Sequence, residues 1–342
     1  MRPNIPETNK KAGVSYAVTD DGLELPVIDV THPAFAVQLS EAELDEILQK
    51  HLQAVKDQAR TPAFVRRLYI RLMQRRSILM RGIAASAGTF LSGINTYILK
   101  LGADNLNAGY ASQIDRQIAA SLPALAARLR LQDTARLLAE GLAPPLLGST
   151  QAALHLLNIG GGPAIDSLNA LIVLGKEHPG LLAGRRIFIH SLDLDDAGPA
   201  FGARALDSLL AQGAALQGLD ITFHSTKYNW SDPTALRELA GSFERNNDIA
   251  AVSSEGALFE YGSDEEITAN LQALHEVMPA GSVAVGSVTR ADEVGRLLNG
   301  ASPAAINLRG LEAFTALALS SGWRVVKVID RPISHDVLMK KV

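Results

Sequence analysis

Residues 152–166, AALHLLNIGGGPAID, constrain this chain more than any other stretch. An unbroken apolar run stops at Gly160, Gly161 and Gly162, and Pro163 follows. LHLLNI has no polar alternation, which suits a strand buried on both faces of a parallel sheet. Three glycines let the chain turn at once into a helix and let its backbone approach a ligand closely.

Downstream of the glycines the pattern alternates. RRIFIHSLD, LDITFHS, DIAAVSSEG and SVAVGSVT read as further strands, with helices over 165–175, 201–212, 233–243 and 264–277. A helix over 308–321 precedes WRVVKVID and HDVLMKKV, two strands joined tightly enough to be antiparallel. Strands alternating with helices predict an α/β chain with a parallel sheet. Upstream, residues 1–38 read as an extended arm or small hairpin, and an acidic first turn after Ser40 opens a helix. A second helix is expected over 62–80, with Thr61 as its N-cap and Pro62 at its first position. The segment 81–111 is rich in small residues, with Asn95, Tyr97, Asn105, Asn107 and Tyr110 as polar groups able to face a site or to serve helix packing. A strong helical pattern over 114–140 then meets Gly141, Pro144 and Pro145, read as its stop. The expected division is an arm (1–38), a helical subdomain (39–145) and a ligand-binding domain (150–342).

Length allows this, since 342 residues suffice for one large α/β domain with an added subdomain. With 32 basic and 36 acidic residues spread along the chain, a net charge of -4 leaves no footprint for nucleic acid. Arg66, Arg67, Arg71, Arg75, Arg76 and Arg81 are locally basic but fall at helical spacing among leucines, as a solvated helix face would. No apolar run reaches the roughly 20 residues of a bilayer helix, and the first thirty residues lack the layout of a signal peptide; a cytoplasmic protein with no membrane partner is expected. The absence of cysteine excludes disulfides, thiolate metal sites and a cysteine nucleophile. No His and carboxylate pair has metal-ligand spacing, so no metal is expected.

The run Asn158-Ile159-Gly160-Gly161-Gly162-Pro163 after the first strand, Asp193 ending the second and the seven-strand count resemble the class I S-adenosylmethionine-dependent methyltransferases. That resemblance implies a Rossmann-like seven-stranded fold preceded by a helical lid, with S-adenosylmethionine as the small-molecule ligand. It implies that the glycines lie under the methionine part and that Asp193 accepts both ribose hydroxyls, two acceptors for two donors. A dinucleotide site would need G-x-G-x-x-G, and Ile165 stands where the third glycine belongs. Asp195 and Asp196 are alternatives to Asp193, or helix caps. After the third strand Tyr228, Asn229, Trp230 and Asp232 fall where the family contacts adenine, with Asp232 equally readable as an N-cap. Ser253, Ser254 and Glu255 follow the fourth strand, where the family performs its chemistry. His190 and His224 lie inside strands and read as core residues.

The small-residue segment before Tyr110, Tyr228-Asn229-Trp230 and Ser253-Ser254-Glu255 also resemble the azetidine-2-carboxylate synthases, which cyclise S-adenosylmethionine and release methylthioadenosine. Such a reaction needs a neutral amine held for attack on the carbon next to sulfur. Tyr110, Tyr228 and Trp230 are expected to wall the sulfonium. Asn158, Ser191 and Ser254 are expected to position the amine and carboxylate, and Glu255 to take the proton. The alternatives are a small-molecule methyltransferase of secondary metabolism, and a non-catalytic S-adenosylmethionine-binding chain that supplies helices to a homodimer.

Overall fold

The computed structural model describes residues 5–59, 62, 70–86, 90–149, 152–245, 247–300 and 306–342. Near the amino terminus β1 (Tyr16–Val18) and β2 (Glu24–Pro26) pair as an antiparallel hairpin. Seven further strands form one sheet: β3 (Leu154–Ile159), β4 (Arg186–Asp193), β5 (Asp220–Lys227), β6 (Ile249–Ser254), β7 (Val283–Thr289), β8 (Trp323–Asp330) and β9 (Ser334–Lys341). Their order is β5-β4-β3-β6-β7-β9-β8. β3 to β7 run parallel, and β9 inserts antiparallel between β7 and β8.

β3 is central and fully buried because both of its faces are covered. Leu154 and Leu156 pack with the helices Leu122–Gly148, Ile165–Glu177 and Ala197–Leu210. Leu157 and Ile159, of opposite pleat parity to Leu154 and Leu156, pack with Thr234–Gly241, Asp264–Val277 and Leu311–Ser320. After β3 the chain builds outward through β4 and β5, then returns to β6 on the other side. The crevice at that reversal, beyond the carboxyl ends of β3 and β6, is where open α/β sheets bind ligands. This strand order, with its inserted antiparallel strand, is the Rossmann-like seven-stranded class I methyltransferase fold.

Two helices differ from the sequence expectation. The pattern over 114–140 is two helices, Gln113–Ala119 and Leu122–Gly148. The first has a capping box between Ser112 and Asp115, and Ser121 with Pro123 restarts the second. That second helix continues through Gly141, Pro144 and Pro145. Proline in a helix costs about 3 kcal/mol, but Leu142 and Leu146 are buried here, and each such leucine recovers about 1.5–3 kcal/mol. Gly141 is a contact position rather than a stop: a Cβ there would lie 3.1 Å from Leu338 and 3.2 Å from Val283, on the sheet.

Thr61 and residues 63–69 of the expected second helix lie outside the described residues, as do Arg66 and Arg67. Residues 70–74 are helical, Arg75 and Arg76 form a turn, and a new helix, Ile78–Ala85, starts where the Ser77 side chain accepts the Met80 N–H at 2.9 Å. Arg71, Arg75, Arg76 and Arg81 are exposed. No helix among the described residues is long and apolar enough to cross a membrane.

Candidate functional site

The glycine turn is fixed from three sides. Gly160 (φ +69°) donates its N–H to Leu192 O at 2.8 Å. Gly162 (φ +58°) donates to Asp193 Oδ2 at 2.8 Å, and its carbonyl accepts the Ser191 hydroxyl at 2.8 Å. Positive φ and close contact both require glycine. A Cβ on Gly160 would lie 2.9 Å from the Trp230 ring, and one on Gly162 would lie 2.8 Å from the Cα of Gly93. Gly93 begins the helix Gly93–Lys100, so an amino-terminal helix is seated directly on the turn.

Between the turn and this cover lies a cavity lined by Gly160, Asp193, Tyr228 and Trp230 from the sheet domain, together with Phe90 to Gly93, Gly256, Ala257 and Tyr261. Phe90 leans on Trp230 and on Tyr261, with ring centroids 6.1 and 6.3 Å apart. Four aromatic rings thus surround one space above a bare glycine backbone. Asp193 stands at its rim. Burial pushes the Asp193 pKa up, and the backbone N–H groups of Asp195 and Gly162 offset that only in part. Each of its oxygens takes one N–H, from Gly162 and from Asp195 at 2.8 Å. A carboxylate has about four acceptor sites, which leaves capacity for two more donors.

A second cavity adjoins the first and shares Leu91, Gly93, Gly160 and Gly256 with it. Thr96, Tyr97, Lys100, Gly161, Pro163, Ile165 and Glu255 complete its lining. Here Glu255 Oε2 accepts from Lys100, and Oε1 accepts from Arg130 Nε at 2.7 Å. Arg130 in turn donates to Glu260 at 2.8 Å, and Glu260 accepts the Ser287 hydroxyl at the same distance. Burial alone would raise the Glu255 pKa, but Lys100 and then Arg130 outweigh it and hold the carboxyl below its ordinary value. Lys100 and Arg130 thus favour the ionised form of Glu255. Both ion pairs disfavour the part expected of it as proton acceptor.

Other expected site residues serve the scaffold. Ser254 donates to Ile159 O at 3.3 Å, and Asn158 donates to Asp166 at 2.5 Å and to Ser253 at 3.1 Å beneath Gly161. Neither Ser191, Ser254 nor Asn158 lines the two cavities. Asn229 is exposed and accepts from Ser231, while Asp232 is exposed and caps Thr234. The Tyr228 ring lines the first cavity, but its hydroxyl is committed to Asn270 Oδ1. Tyr110 is not part of the aromatic wall. It packs against the core with its hydroxyl buried and unpartnered, and that burial raises its pKa to about 12.

Asn95, Asn105 and Asn107 bond locally, and Tyr97 ties its helix to Pro26 and Ile28. The imidazoles of His155, His190 and His224 stack on one another across the sheet, 5.5 and 5.4 Å apart by centroid, and line neither cavity. No group among the described residues could hold a metal ion. Sequence reasoning missed Phe90, Lys100 and Arg130. A charge amid apolar residues, as in TYILKLG, was the available signal for Lys100.

No protein-family model matches the chain, and no curated protein matches it. Among solved structures, a possible exported protein from Bordetella parapertussis aligns over 89% of this chain and 97% of its own, with 18% identity and a TM-score of 0.56. A S-adenosylmethionine-dependent methyltransferase from Clostridium acetobutylicum aligns over 60% of this chain and 91% of its own (8% identity, TM-score 0.39). A methyltransferase of calicheamicin biosynthesis, bound to S-adenosylhomocysteine, aligns over 67% and 59% (15% identity, TM-score 0.38). Likeness at this level of identity concerns the fold alone.

Proposed function

We propose that this chain is a S-adenosylmethionine-using enzyme that cyclises its ligand to azetidine-2-carboxylate and methylthioadenosine. The observation that carries the reading is the aromatic cavity over Gly160. The rings of Phe90, Tyr228, Trp230 and Tyr261 suit an adenine and a desolvated sulfonium, which aromatic faces attract by about 2 kcal/mol. Asp193 in the lining suits a ribose diol. In the reaction the ligand's ammonium first loses a proton to water, the amine lone pair then forms a bond to the carbon next to sulfur, the carbon–sulfur pair leaves on methylthioadenosine, and the ring nitrogen keeps its two hydrogens as a secondary ammonium.

Two features favour cyclisation over methyl transfer. The Gly93–Lys100 helix rests on Gly162 and Phe90 leans on Trp230, a cover seated close enough to favour a reaction without a second substrate. No base is required either, because an α-amino group titrates near 8 and about a tenth of the ligand already carries a neutral amine at pH 7. The arm (1–38), helical subdomain (39–145) and sheet domain (150–342) act in this reading as brace, cover and floor.

Ligand binding is tested by tryptophan fluorescence, since Trp230 lines the cavity and Trp323, the other tryptophan, is buried against Leu271. S-adenosylmethionine and methylthioadenosine should both change the emission, and Trp230→Phe should remove the change. Emission that neither ligand alters, together with no binding by calorimetry, would refute the reading.

A further inference from the structure

The second cavity carries a more specific assignment. Lys100 is 5% exposed, yet it lines this cavity beside Gly160 and Gly161. An ammonium has three donors, and among the described residues Lys100 makes one hydrogen bond, to Glu255. Buried donors of a charged group are rarely left open. Glu255 does not consume the remainder, because its other oxygen is held by Arg130. Lys100, Arg130, Glu255 and Glu260 pair two cations with two anions.

We propose that Lys100 anchors the carboxylate of the ligand's aminobutyrate arm, with Glu255 and Arg130 as positioning residues that hold its ammonium toward the glycine turn. This rests on the S-adenosylmethionine reading. The two cavities meet at Leu91, Gly93, Gly160 and Gly256, so an adenosyl group among the aromatic rings would project its arm past Gly160 toward Lys100. A ligand carboxylate would add a second anionic partner for the Lys100 ammonium, whose present partner is Glu255. A phosphate in the same place would bring two charges against Glu255, which disfavours it. Anchoring the arm at its carboxylate end leaves the amine unbound and able to fold back.

The test uses calorimetry on the full chain with three ligands: S-adenosylhomocysteine, its decarboxylated form S-adenosyl-3-thiopropylamine, and methylthioadenosine. The native chain should bind S-adenosylhomocysteine on the order of ten- to a hundredfold more tightly than the decarboxylated form. Lys100→Met should abolish that preference while leaving methylthioadenosine binding unchanged, and Lys100→Arg should restore part of it. Equal affinity of the native chain for the first two ligands would overturn the assignment even if Lys100→Met does not fold. Retention of the preference in Lys100→Met would overturn it as well. Failure of all three ligands to bind would instead defeat the functional reading beneath it.

Discussion

The main-chain N–H of Gly162 donates to Asp193 Oδ2 at 2.8 Å, which joins the turn after β3 to the end of β4. One carboxylate thus both shapes the glycine floor and stands at the rim of the cavity. Asp193→Asn keeps the size of the side chain but removes its charge and one acceptor. It is expected to weaken S-adenosylmethionine binding on the order of a hundredfold, measured by calorimetry. An unchanged affinity would remove Asp193 from ligand recognition.

Gly162→Ala combines a positive φ with a Cβ placed 2.8 Å from the backbone of Gly93, where no flexible side chain can yield. The expected loss is about 1–3 kcal/mol of stability, read by urea unfolding. Gly175→Ala, at a position with open space, serves as the control and is expected to be neutral or stabilising.

Tyr228→Phe removes the hydroxyl that Asn270 Oδ1 accepts. Asn270 also donates to Trp230 O at 2.7 Å, so the pair braces the aromatic wall. The change is expected to cost about 1–3 kcal/mol of stability and to leave turnover within twofold at saturating ligand. A large fall in turnover without loss of stability would put the hydroxyl back into the chemistry.

How much of this was legible depended on whether the determinant was local. LHLLNI, the three glycines and Asp193 carry their meaning within a few residues, and β3, the turn and the end of β4 follow from them. Pro144 and Pro145 misled because the burial of Leu142 and Leu146 against the sheet, a tertiary effect, outweighs the local rule. Glu255, directly after β6, was expected to take the proton. Its state depends on Lys100 and Arg130, which lie 155 and 125 residues away in the chain. No sequence pattern shows that two helices turn those cations toward one carboxylate. Tyr110 failed for the converse reason, since an aromatic in a small-residue segment is a core residue as readily as a cavity wall.

Two buried groups give opposite pH signatures. His190 is driven down to about 3 from an ordinary 6.5, first by burial and then by His155 and His224. The folded chain keeps it neutral while the unfolded chain protonates it, so its contribution is full above pH 6.5 and is lost as the pH falls toward about 3. Unfolding free energies from urea titration should drop over that window by up to about 1.4 kcal/mol per pH unit, and His190→Phe should flatten the slope by up to one proton.

Asp166 is raised to about 6 from 3.8, first by burial and then by Glu255. Here the folded chain favours the proton, so stability is greatest below pH 3.8 and is lost as the pH rises through about 6. Asp166→Asn should accordingly stabilise the protein at pH 8, by at most about 3 kcal/mol, and change little at pH 4. Stabilisation of equal size at both pH values would contradict the ionisation argument.

The proposed chemistry is tested most directly by incubating the purified chain with S-adenosylmethionine and no acceptor, then quantifying products by mass spectrometry against a protein-free control. Methylthioadenosine and azetidine-2-carboxylate should accumulate in equal amounts above that control. S-adenosylhomocysteine formed only when an acceptor is supplied, with no cyclic amino acid, would contradict cyclisation and assign methyl transfer.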